Sequence, residues 1–80
     1  MRVRKRFKFR EIVRILHDHD NRFEFFTDRG KGSHRMIFHP DVRGRKAAFP
    51  MKCHNENQEY SQDVIRDIVR RFELPENLFG

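Results

Sequence analysis

The stretch RFEFFTDRGKGSHRMIFHPDVRGRKAAFPM, residues 22–51, holds three short apolar runs separated by turn chemistry. Arg22 to Thr27 is rich in Phe and bounded by turn residues, the composition of a strand, and Asp28-Arg29-Gly30-Lys31-Gly32 supplies a hairpin turn with two flexible positions. Ser33 to His39 reads as a second strand that Pro40-Asp41 should stop. Asp41 to Arg45, with Gly44 inside it, reads as a loop, and Lys46 to Met51 gives a third strand ending near Pro50, because proline has no N–H for a ladder. Three strands on such short loops can pair only as an antiparallel meander.

Outward from this segment, the spacing of Phe9, Ile12, Val13 and Leu16 predicts an amphipathic helix over about 8 to 18, with Arg10, Glu11, Arg14 and His17 on its other side. Asp18, Asp20 and Asn21 end it. Beyond the strands, His54 to Glu59 is a loop. Ser61 is placed to cap a last helix with a stripe of Val64, Ile65, Ile68, Val69 and Phe72, Asp63 near its positive end and Leu74-Pro75 closing it. Asp67 and Arg71 stand four apart on it, a favourable ion pair. The order is α-β-β-β-α, an α+β fold, and both helical stripes must bury on one face of the sheet. The other face, carrying much of the charge of residues 29 to 52, is left open. Double-stranded-RNA-binding domains share this layout.

Eighty residues make one domain, residues 1–80, with Met1 to Arg6 as a flexible basic tail. The net charge of +6 is unevenly spread. Residues 1–28 carry 8 basic and 5 acidic side chains, residues 29–52 carry 7 and 1, and residues 53–80 carry 3 and 6. An excess on the middle third suits a polyanion such as RNA, and it also suits plain solubility. Cys53 is alone, so no internal disulfide is expected. The lone cysteine fits a reducing compartment, so a cytoplasmic protein is expected, and the absence of a long apolar run argues against a signal peptide or a membrane span.

No dinucleotide fingerprint is present, and Gly30-Lys31-Gly32-Ser33 lacks the upstream glycine and following helix of a phosphate-binding loop. His17, His19, Cys53 and His54 lack the spacing of a zinc module, so no metal or other cofactor is expected. Lys31-Gly32-Ser33-His34-Arg35 is different: it joins a general acid/base group, two cations and a hydroxyl at a turn and strand start. An imidazole titrating near pH 6.5 can take a proton from a ribose 2′-hydroxyl, and cations in reach can neutralise the charge that develops on phosphorus. The plainer reading of His34, a surface or half-buried strand histidine, stays open on residue chemistry alone.

Arg29, Lys31-Gly32-Ser33-His34-Arg35 and His39-Pro40, followed by a third strand ending in Pro50, resemble the signature of the HicA family of toxin proteins. The flanking helices fall where that family has them, so the resemblance spans about residues 8 to 75. It implies a double-stranded-RNA-binding-like fold and an mRNA-cleaving activity. It also implies a HicB-type antitoxin that covers the active face, the chain being a monomer alone or a hetero-oligomer with that partner. The family's catalytic histidine corresponds to His34. Two departures stand out: Asp20-Asn21-Arg22-Phe23 replaces a turn that usually carries Gly and an aromatic, and Lys52 stands where family members often place a second His. His39 or His54 would be the substitutes.

Strand alternation groups His34 with Met36 and Phe38, and Ser33 with Arg35, Ile37 and His39. The apolar neighbours argue for His34 in the core, whereas the family pattern buries Ile37 and leaves His34 on the open face; the second arrangement is the one expected. The leading expectation is thus a metal-independent endoribonuclease with His34 as base, Lys31, Ser33 and Arg35 at the phosphate, and Arg29, Arg45 and Lys46 along the RNA backbone. The alternatives are a non-catalytic RNA-binding module and a protein-interaction subunit.

Overall fold

A computed structural model describes residues 5–28, 34–53 and 57–79 of the chain. Phe7–Lys8 is a two-residue strand, β1, that leads directly into helix α1, Phe9–His19. The helix begins with the Lys8 N–H donating to the Glu11 carboxylate at 3.0 Å, which satisfies a group the first turn leaves without a partner. It ends where Asp20 turns extended while its N–H still reaches the Leu16 carbonyl at 2.9 Å. Strands β2 (Glu24–Asp28), β3 (His34–Val42) and β4 (Arg45–Lys52) follow as an antiparallel sheet in the order β2-β3-β4. A second short strand, β5 (Glu59–Tyr60), pairs with β1, and helix α2 covers Gln62–Arg71. The small α+β fold with two helices and a three-stranded antiparallel sheet is therefore as expected, with the β1–β5 ribbon added to it.

Two prolines do less than expected. β3 does not stop at Pro40 but continues to Val42, spending Pro40 and Asp41 against Lys46 alone between the pairs His39–Ala47 and Val42–Arg45. That bulge removes the ladder bond a proline could not have made. β4 likewise runs through Pro50 to Lys52, which an edge strand tolerates because one side of its backbone has no neighbour. The β3–β4 turn places both Arg43 (φ 54°) and Gly44 (φ 82°) in the left-handed region, the conformation that suits the twist of a two-residue hairpin. The Asp41 carboxylate accepts the Gly44 N–H at 2.7 Å and holds the turn.

Ile12 and Leu16 of α1 and Ile65 and Ile68 of α2 are buried with Ile37 and Met51 of the sheet, so both helical stripes cover one sheet face. Phe23 locks the corner, edge-on to Phe72 with centroids 5.1 Å apart. Past α2 the chain returns Phe79 to the first strand, where its ring meets Phe7 edge-on at 5.5 Å. At the start, the Lys5 carbonyl accepts a hydrogen bond from Gln62 and its ammonium lies over the Phe7 ring. Ser61 occupies the position before α2 without a side-chain cap. Asp63 pairs with Arg66 at 4.0 Å, and Arg71, expected to pair with Asp67, donates to the Ala48 carbonyl.

Candidate nucleic-acid interface

The position of Ile37 settles which way the central strand faces. Ile37 is fully enclosed between sheet and helices, and because side chains alternate along a strand, His34, Met36 and Phe38 lie on the uncovered side. Register then builds the open face in rows. Phe26, Met36 and Pro50 form one row, and Glu24, Phe38 and Ala48 the next. Ahead of them, His34 lies opposite Lys52 on one side and pairs through its backbone with Asp28 on the other. Phe26 and Phe38 touch diagonally, ring centroids 6.4 Å apart and planes at 64°, and Phe26 remains 51% exposed.

Lys52 is the residue that composition-based reasoning did not assign. Its ammonium-bearing side chain is exposed beside His34, while its carbonyl is held by the Tyr60 hydroxyl at 2.6 Å and the Gln58 amide at 3.3 Å. Burial, and then the hydrogen bond to Cys53, push the Tyr60 phenol well above its ordinary pKa, so it stays a protonated donor. The ribbon strand β5 thereby fixes the backbone from which Lys52 projects. His34 is half-buried, and its Nδ1 is enclosed with no hydrogen-bond partner among the described residues.

The other expected site residues are spread out. Arg29, Lys31 and Ser33, with the glycines between them, lie outside the described residues, as does His54. Arg35 is on the helix side of β3, its guanidinium 5.8 Å from the Phe9 ring centroid, so it is not beside a phosphate held at His34. Arg45 and Lys46 sit at the opposite end of β4 from Lys52, about 20 Å away at the rise of a strand. The open face was expected to carry much of the charge of residues 29 to 52, of which Arg29 and Lys31 lie outside the described residues. Its centre is apolar, and among the described residues of β3 and β4 the cations gather at the two ends or turn to the helix side.

His39 is also reassigned. It is 4% exposed on the helix side of the sheet, five residues along β3 from His34 and on the other face, so it cannot serve as that residue's partner. Its Nδ1 accepts the Asp41 N–H at 3.0 Å, which leaves the proton on Nε2 to be donated to the Asp20 carboxylate at 2.8 Å. Asp20 also receives the Arg22 backbone N–H at 2.9 Å and a two-pronged guanidinium contact at 3.2 and 3.0 Å. The Arg22 side chain first, then its backbone N–H, then His39 hold the Asp20 carboxyl far below the usual carboxylate range. This network occupies the turn that departs from the HicA pattern, and it ties the α1–β2 corner to the β3 bulge.

Among the described residues no group of His, Cys, Asp and Glu is placed to hold a metal ion, and no helix is long and apolar enough to cross a membrane. Compared with known proteins, the chain matches no family model, no curated protein and no solved structure.

Proposed function

We propose that the chain is an endoribonuclease of the HicA toxin type that cleaves mRNA at the His34 end of the open sheet face. The observation that carries this reading is the pairing of His34 with Lys52 on the one face the helices leave uncovered. In the proposed reaction, the His34 imidazole takes the proton of a ribose 2′-hydroxyl, and that oxygen attacks the adjacent phosphorus. The bond to the 5′ oxygen breaks and that oxygen takes a proton from solvent water, giving a 2′,3′-cyclic phosphate and a 5′-hydroxyl. The Lys52 ammonium offsets the negative charge on the phosphorane, and Lys31 would add to it. The layout of two helices on one face of a three-stranded sheet supports a double-stranded-RNA-binding-like fold. A HicB-type antitoxin would act by covering the same face, where Phe26, Met36 and Phe38 offer apolar contact.

The test is incubation of the purified protein with a mixed-sequence RNA in EDTA, beside His34→Ala matched for folding and for RNA affinity. Loss of about 10²-fold or more in cleavage rate in the variant is expected. Equal products from both proteins would remove His34 from catalysis, and retained RNA binding without products from either would make the chain a binding module. Suppression of cleavage by a copurifying acidic partner would support the antitoxin assignment.

A further inference from the structure

We propose that the open face selects unpaired RNA, with a base laid on the Phe26 ring while the backbone phosphate is held at the His34 and Lys52 end. This rests on the ribonuclease reading and adds which form of RNA the site accepts. The two functions lie on adjacent rows. Phe26 stands opposite Met36, and Met36 is two residues from His34, a step of about 7 Å along the strand. Among the described residues Phe26 is the large apolar side chain left exposed, and Phe38 lies against it at 64°. The second ring thus braces the first without covering it. An isolated exposed aromatic is ordinary, but one fixed by a neighbour, one row from a cation and an imidazole, is a stacking platform for a base that is free to leave its helix.

A duplex fits the same surface poorly. Its base faces are covered by their neighbours, and it presents phosphates and 2′-hydroxyls that need donors spread across grooves. Here Phe26, Met36, Pro50, Phe38 and Ala48 would meet those phosphates with no donor, and Glu24 in the Phe38 row would repel them. Among the described residues the cation beside His34 is Lys52, with Lys46 about 20 Å away at the far end of the same strand, so the charge next to the aromatic pair favours one strand crossing at His34 with its base turned toward Phe26.

The experiment is fluorescence anisotropy of wild-type protein with a labelled 2′-O-methyl RNA, which lacks the nucleophile, as a single strand and annealed to its complement. The single strand should bind at least tenfold more tightly. Phe26→Ala, at a half-exposed position that leaves the circular dichroism spectrum unchanged, should lose about tenfold on the single strand and little on the duplex, and Phe26→Tyr should restore binding. Equal affinity for strand and duplex, or wild-type affinity in Phe26→Ala, would overturn the inference while leaving the His34 cleavage assay to stand. Failure to bind either form would overturn both readings. Normal RNA binding by Phe26→Ala together with loss of an acidic partner protein would assign the aromatic pair to that partner and likewise overturn it.

Discussion

Replacing Asp20 by Ala removes the acceptor of four hydrogen bonds, three from Arg22 and one from His39. Their worth is unequal. The Arg22 side chain is 55% exposed, and an ion pair that wet adds little to stability. The His39 side chain is 5% exposed, with Nδ1 already committed to the Asp41 N–H, so its Nε2–H would be left buried without an acceptor. That costs roughly 1–3 kcal/mol, or on the order of 10 °C in Tm for a domain of this size. The loss should depend on pH. Arg22 and His39 hold the folded carboxyl below the value of about 3.9 that an unfolded aspartate has. Folding therefore favours the ionised form, and its contribution is complete above about pH 5 and declines as pH falls below 4 toward the folded value. Urea titrations followed by circular dichroism at pH 7 and pH 3 should show the gap between wild type and Asp20→Ala narrowing by about 1 kcal/mol on acidification. A gap under about 0.5 kcal/mol at pH 7, within the scatter of ordinary surface changes, would refute the buried-donor argument. A gap of equal size at both pH values would refute its electrostatic part.

Lys52→Ala should weaken RNA binding and reduce the slope of log affinity against log salt by about 1, since one phosphate contact is lost; anisotropy over a salt series reads this, and an unchanged slope would take Lys52 off the phosphate. Gly44→Ala should cost about 1–2 kcal/mol from the left-handed backbone alone, because a Cβ there meets no atom within 4 Å; a loss above about 3 kcal/mol in denaturant titration would contradict that account. Phe79→Ala should cost about 3 kcal/mol, since the ring is 8% exposed and seals Phe7, and a loss under 1 kcal/mol would show that the C-terminal return adds little to the core.

What the sequence disclosed followed from periodicity. Ile12 and Leu16, and Ile65, Ile68 and Phe72, carry a helical repeat strong enough to place both helices and the face they bury. The three strands were legible from their turns. Pro40 and Pro50 misled because a bulge and a strand edge each excuse a missing N–H, and neither has a local signal. A two-residue ribbon such as β1–β5 has no repeat to detect, its partners being Phe7 and Tyr60 at opposite ends of the chain. The bond between His39 and Asp20 spans 19 residues and depends on how α1 meets the sheet. At the candidate site, His34 stood out as a residue type in a glycine turn, whereas Lys52 became visible only through the register of β3 against β4. Alternation offered two orientations for His34, and the burial of Ile37 distinguished them.

The ribbon also orders events in time. Phe7 finds its partners at Tyr60 and Phe79 only after 53 and 72 further residues have been made, and closing loops that long is slow compared with winding α1 or zipping the β2–β3 and β3–β4 hairpins. Lys52 is anchored through Tyr60, so the cation opposite His34 is set in place by the last long-range closure rather than by the hairpin that carries it. A nascent chain that has already formed its sheet would still lack the finished surface around His34, whose completion is timed by the arrival of residues 60 to 79.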